Sequence, residues 1–235
     1  MNAVKWNPRI ALRDLTELIL VLAFVVVVPP LVETAMVQRG IPMAGTNRIL
    51  ATAVLFVLWA LLAALLMALN REPLSAAGLA RPARLGRTAL LGLIVAAVIF
   101  AAVVTLERLG YGAGRLGDIG EELKGHPVLL AERVAISLLV VGFVEEFIFR
   151  GFIMARIASA LGGANWAWAL ALIAQAVLFG LLHGYQHLYG MQLTGVIGLF
   201  LGSVYLLSGR NLWIPIIGHA VYNAAHAVYL SGILR

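Results

Sequence analysis

The sequence predicts an all-α, polytopic membrane protein, a bundle of about seven transmembrane helices around a polar cavity within the bilayer. Three observations carry this expectation. Of 235 residues, 62% are hydrophobic and 12% charged, against roughly 25% charged in ordinary soluble domains. Apolar runs of about 20 residues, the length that crosses a hydrocarbon core, recur along the chain. The ionisable groups that do fall inside such runs gather in the C-terminal half. Cysteine is absent, which excludes disulfides, thiolate nucleophiles and cysteine metal sites. The net charge of +6 does not point to nucleic acid, because the basic residues sit mostly in short loops between apolar runs, where they set topology.

The runs occupy residues 18–37, 49–69, 88–106, 134–149, 165–182, 191–207 and 212–230. A short or re-entrant segment would make an eighth span. The first run contains Pro29-Pro30, which a membrane helix tolerates as a kink when neighbouring groups satisfy the freed carbonyls. Glu33, just beyond, is expected at the interface. Lys5, Arg9 and Arg13 precede the run without a small-residue cleavage site after it, so it reads as a retained anchor.

Arg71, Arg81, Arg84 and Arg87 cluster after the second run, whereas Glu107, Asp118, Glu121 and Glu122 offset the basic residues of the next loop. This asymmetry places the N-terminus and the Arg-rich loop in the cytoplasm of a multi-pass protein. Arg150, Arg156 and Arg210 fall on the same side under alternation, leaving the C-terminus outside for seven spans. The linkers of real length are residues 70–87 and 107–133. One integral membrane domain, 1–235, is expected, with anchor helices in 1–73 and a polar-bearing core in 74–235.

An ionisable side chain in hydrocarbon costs several kcal/mol unless it is paired or faces a wet cavity. Glu145 and Glu146 with Arg150, His183 after Phe179, and His219 with Asn223 are therefore functional candidates. Glu146/Arg150 and His219/Asn223 are each four apart and share a helix face. The spacing lets Arg150 hold Glu146 ionised while Glu145 points elsewhere. If the fourth helix continues through residues 151–161 to a turn at Gly162-Gly163, Glu145 and His183 lie at comparable depth, within roughly 5 Å along the axis. A carboxylate beside a histidine in a dry cavity makes a general base for water. A second histidine with an asparagine amide supplies donors for an oxyanion. No serine or cysteine nucleophile stands in the cluster.

At these residues the chain resembles the CPBP family of intramembrane proteases, which includes the type II CAAX prenyl endopeptidases and the bacteriocin-processing and Abi proteins. The likeness runs from about Leu74, where Leu-Ser-Ala-Ala-Gly-Leu looks like the family's lead-in, to the C-terminus. Its motifs, Glu-Glu-x-x-x-Arg, Phe-x-x-x-His and His-x-x-x-Asn, fall on Glu145, Glu146 and Arg150, on Phe179 and His183, and on His219 and Asn223. The resemblance implies a membrane-embedded catalytic cavity in which Glu145 and His183 activate water, His219 and Asn223 stabilise the oxyanion, and Arg150 orients the glutamates. It implies an endopeptidase acting on a membrane-associated peptide, either a prenylated CAAX protein or a leader peptide. No cofactor is required on this reading. The alternative is Zn²⁺ held by Glu145, His183 and His219, with His187 a further candidate on spacing alone. The Ala- and Arg-rich composition suggests a bacterial cell membrane.

Each feature also has a structural reading. The glutamates with Arg150 could be a buried ion pair that fixes packing, His183 an interfacial side chain, and His219 an interhelical hydrogen-bonding group. Their joint occurrence favours chemistry. His126 and His226 read as structural, Gly195, Gly198 and Gly202 as small-residue helix packing, and Trp166, Trp168 and Trp213 as interface anchors. Two rival functions are a non-catalytic scaffold or immunity protein on the same fold and a proton-coupled transporter. The latter predicts pseudo-repeated halves, which the sequence does not display.

Overall fold

The computed structural model describes residues 6–111 and 120–233, all helical or loop with no strand among them; Lys5 and Asp118 lie outside this range. Each apolar run falls on a helix: α1 Pro8–Gln38, α2 Gly45–Leu69, α3 Leu85–Arg108, α4 Pro127–Ala160, α5 Asn165–Leu181, α6 His187–Leu207 and α7 Trp213–Leu230. Five helical stretches are long and apolar enough to cross a membrane, namely α1 to α4 and Gly184–Leu207, the last being α6 with a short 3₁₀ turn before it. At 17 residues α5 is shorter, and His219, Tyr222, Asn223, His226 and Tyr229 dilute the apolar character of α7.

The fourth element is the long helix expected from the turn at Gly162-Gly163, a rod of 34 residues. Its α-helical turns alternate with two π-helical segments, Ser137–Val141 and Phe147–Ile153, which flank Glu145 and Glu146. Such segments widen the helix locally and recur at functional sites. α1 runs unbroken through Pro29 and Pro30. Its start is capped by Asn7, whose side-chain oxygen accepts from the Arg9 N–H at 3.0 Å.

The N-terminal helix is fastened to the far end of α4. Arg156 donates to Glu17 at 2.7 Å, pairs with Glu72 at 2.8 Å and lies over the Phe152 ring. Arg13 bonds Asp14 at 2.6 Å, and the Asn70 amide donates to the other oxygen of Glu17. Trp6 donates its indole N–H to the Ala160 carbonyl at 3.0 Å. Arg156 of this network and Arg150, which alternation of spans puts on one side with Arg210, are not loop residues. Both lie within α4 and are buried beside carboxylates, so neither counts as an exposed loop charge.

Close helix contacts explain the small residues. A Cβ at Gly92 or Gly218 would stand 2.6 or 2.5 Å from an isoleucine or valine across the α3–α7 interface. On α6, Gly195, Gly198 and Gly202 face Ala176, Phe179 and Leu172 of α5, as the small-residue reading expected. The Leu74–Leu79 lead-in folds as a 3₁₀ turn ending at Gly78 with φ +96°, a conformation that suits glycine. Gly78 accepts the Leu212 N–H at 2.9 Å, and the carbonyl of Ala77 sits against Gly151 of α4. At this same end Arg210 covers Trp168, and Trp213 donates to Ala80.

Removing Arg156 would strand the buried Glu17 without its cation. Arg156→Met is expected to cost about 3–5 kcal/mol, read as a lowered melting temperature of the detergent-purified protein and a smaller monodisperse fraction.

Candidate active site

Two adjacent residues of a helix point about 100° apart, yet Glu145 and Glu146 are both buried. A single imidazole from α7 accounts for this. His219 sits between them, its Nδ1 2.8 Å from Glu146 Oε1 and its Nε2 3.5 Å from Glu145 Oε2. The approach depends on Gly142, one turn before Glu146 on α4, where a Cβ would lie 2.6 Å from the Ala220 methyl and 2.7 Å from that residue's backbone.

The two carboxylates differ in environment. Glu146 is 0% exposed, and its Oε1 accepts from Arg150 Nη1 at 2.9 Å across one helical turn. The same Oε1 meets His219 Nδ1, so guanidinium and imidazole converge on one carboxylate oxygen. Glu145 makes no bond to Arg150 and keeps 7% of its surface accessible. The expectation that Arg150 holds one glutamate while the other points elsewhere matches this geometry. Arg150, itself 0% exposed, also lies 4.7 Å over the Phe179 ring.

Phe179 links the remaining motif residues. Its ring centroid stands 4.7 Å from Phe149, 4.8 Å from His183 and 6.1 Å from His219. His183 caps the end of α5, and its Nδ1 lies 2.7 Å from the Phe179 carbonyl. A carbonyl only accepts, so Nδ1 carries the proton and Nε2 keeps its lone pair in the neutral ring. No direct contact joins His183 to Glu145. Asn223, one turn beyond His219, is half-buried and makes no hydrogen bond to another described residue.

Among the described residues no three His, Asp or Glu converge as metal ligands; Glu145 and His219 are neighbours, but His183 does not join them, and His187 is exposed at the start of α6. His226, read as structural, bonds Glu107 of α3 at 2.8 Å and stacks on Tyr222.

Sequence reasoning missed Gln175. This α5 side chain is 0% exposed, and its Nε2 donates to the carbonyl of Gly198 at 3.1 Å, the same oxygen that accepts from Arg150 Nη2. A glutamine in the middle of an apolar run was a visible signal, passed over because it bears no charge.

A constellation of intramembrane glutamates, arginine and histidines on separate helices defines the class of polar-centred membrane bundles to which intramembrane peptidases belong. Residues 127–225 match the family described as type II CAAX prenyl endopeptidase Rce1-like. The matched stretch spans all three motifs and begins with α4, so it is narrower than the likeness from Leu74 onward drawn from the sequence. It carries the CAAX protease resemblance, and that family is one of peptidases. No curated protein and no solved structure was found to match the chain.

The Gly142–Ala220 contact leaves no room for a methyl group. Gly142→Ala is expected to destabilise the protein by about 1–3 kcal/mol through overpacking and to part His219 from Glu146, detected as a lower melting temperature together with loss of any Glu145-dependent cleavage.

Proposed function

We propose that this protein is an intramembrane endopeptidase that hydrolyses a membrane-associated peptide with water activated by Glu145 and His183. The observation that carries the reading is the unequal pair of glutamates around His219. Glu146 is sealed from solvent and held by Arg150, whereas Glu145 keeps 7% of its surface accessible and makes no hydrogen bond to the guanidinium. A purely structural ion pair needs one glutamate and one arginine, and Glu145 is surplus to it.

In the proposed reaction Glu145 takes a proton from water as the water oxygen attacks the scissile carbonyl carbon. His183, its Nδ1–H held by the Phe179 carbonyl, accepts a hydrogen bond from that water at Nε2. The carbonyl oxygen becomes an oxyanion and meets the free amide of Asn223 and the Nε2 edge of His219, protonated while Nδ1 remains bonded to Glu146. The carbon–nitrogen bond then breaks, and the proton held by Glu145 passes to the leaving amine. Substrates of the proposed enzyme are prenylated CAAX peptides or leader peptides presented at the membrane. Seven crossings would place the N-terminus, Arg71, Arg81, Arg84, Arg87 and Arg210 on the cytoplasmic side of a bacterial cell membrane.

The test is cleavage of a fluorogenic peptide panel by detergent-purified wild type beside Glu145→Ala and His183→Ala, with and without a strong chelator. Each substitution is expected to lower kcat by about 10²–10⁴-fold, the usual worth of general acid–base catalysis, with the chelator without effect. Cleavage that survives both substitutions would sink the assignment. Function in cells that persists without Glu145 would instead favour a scaffold on the same fold.

A further inference from the structure

Behind the glutamates lies a second polar layer that the motifs do not include. α6 presents the carbonyl of Gly198, which side-chain donors can reach because position 198 has no side chain; a Cβ there would stand 3.0 Å from the Phe179 ring. Two donors from different helices converge on this oxygen, Arg150 Nη2 from α4 and Gln175 Nε2 from α5, each at 3.1 Å. Gln175 Nε2 also donates to the Leu172 carbonyl at 3.0 Å, which sets the orientation of its amide. Gly202, one turn along α6, is as tightly fitted, since a Cβ there would stand 2.7 Å from Gln175 Nε2.

Arg150 divides its nitrogens between two partners. Nη1 serves Glu146 and Nη2 serves Gly198, so the position of the Gly198 oxygen determines how the guanidinium is turned toward the carboxylate. The Gly198 oxygen accepts from both donors, one on each lone pair, so Gln175 helps fix the oxygen on which Arg150 is turned. Gln175 Oε1 and Arg150 Nε, an acceptor and a donor, are both sealed from solvent without a protein partner, as is Glu146 Oε2. Unpaired polar atoms in a buried apolar setting are costly, and a leucine or methionine would fill the same volume without them.

We propose that Gln175 is a positioning residue for this site, acting through the shared Gly198 carbonyl to hold Arg150 on Glu146 and thereby to keep His219 beside Glu145. The inference rests on the peptidase reading for its kinetic consequence but not for its structural one. Gln175 touches no reacting atom. Its loss removes one of the two bonds that fix the Gly198 carbonyl, and the guanidinium turned on that oxygen is no longer held squarely against Glu146. Gln175→Met keeps length and volume while removing both amide functions. Gln175→Glu keeps the shape and offers Arg150 a rival carboxylate.

The experiment compares detergent-purified wild type with both variants, each first checked for a monodisperse gel-filtration peak and a cooperative melt. On the peptide panel, kcat per folded protein, measured on the monodisperse peak so that unfolded material is not counted, is expected to fall at least tenfold with KM within twofold. Independently of cleavage, labelling of Glu146 by an apolar carbodiimide, which attacks protonated carboxyls within membranes, is read by peptide mass spectrometry. It is expected to rise at least fivefold in each folded variant. Glu146 labelling within twofold of wild type in either folded variant overturns the proposal, whatever the cleavage assay reports. A wild type that cleaves nothing would count against the peptidase reading, while the labelling would still judge Gln175. If Gln175→Met does not fold, Gln175→Glu decides the question alone.

Discussion

Arg150 and Glu146 form an ion pair with no exposed surface inside a bundle built almost wholly of apolar side chains. Taking two charges out of water costs more than their attraction returns unless further hydrogen bonds satisfy them. The surrounding structure supplies those bonds from three other helices. α7 brings His219 to Glu146, α6 offers the Gly198 carbonyl to Arg150, and α5 lays Phe179 beneath the guanidinium while Gln175 shares the carbonyl. The pair therefore sets how closely α5, α6 and α7 must approach α4, and the glycines at 142 and 198 are what allow that approach.

A similar constraint operates at the other end of α4, where Arg156 gathers Glu17 and Glu72. This second cluster binds α1 and the lead-in segment to the helix that carries the glutamates. The axial position of α4 is thus held by ionic groups at two levels, with the π-helical segments between and beside them. The reaction proposed for Glu145 requires this rigidity, because a base must stay within about 0.5 Å of its working position. Glu145 is itself the least engaged of these charges, which suits the role proposed for it.

Much of the site was legible in the sequence because the bilayer makes polarity conspicuous. Glu145, Glu146, Arg150, His183 and His219 stand out in apolar runs, and the four-residue spacing of Glu146 and Arg150 foretold their pairing. The length of α4 was readable too, from the turn at Gly162-Gly163. Less visible were the partners of Arg156, which lie well over a hundred positions away in the chain at Glu17 and closer at Glu72. Gln175 escaped notice because an uncharged amide is cheap enough in a helix to look incidental.

By itself the sequence determined the all-helical membrane class, the places of the apolar helices and the identity of the polar residues, since hydrophobicity, backbone hydrogen bonding and the rarity of charge in hydrocarbon are local properties of the chain. Only the tertiary structure decided which glutamate Arg150 and His219 hold, that His219 stands between the two carboxylates, and that the Gly198 carbonyl joins Arg150 to Gln175. These are distances between atoms on different helices, and spacing along one helix cannot specify how that helix is rotated and translated against its neighbours. Packing fixes both, through glycine contacts and shared hydrogen bonds that exist only once the bundle has closed.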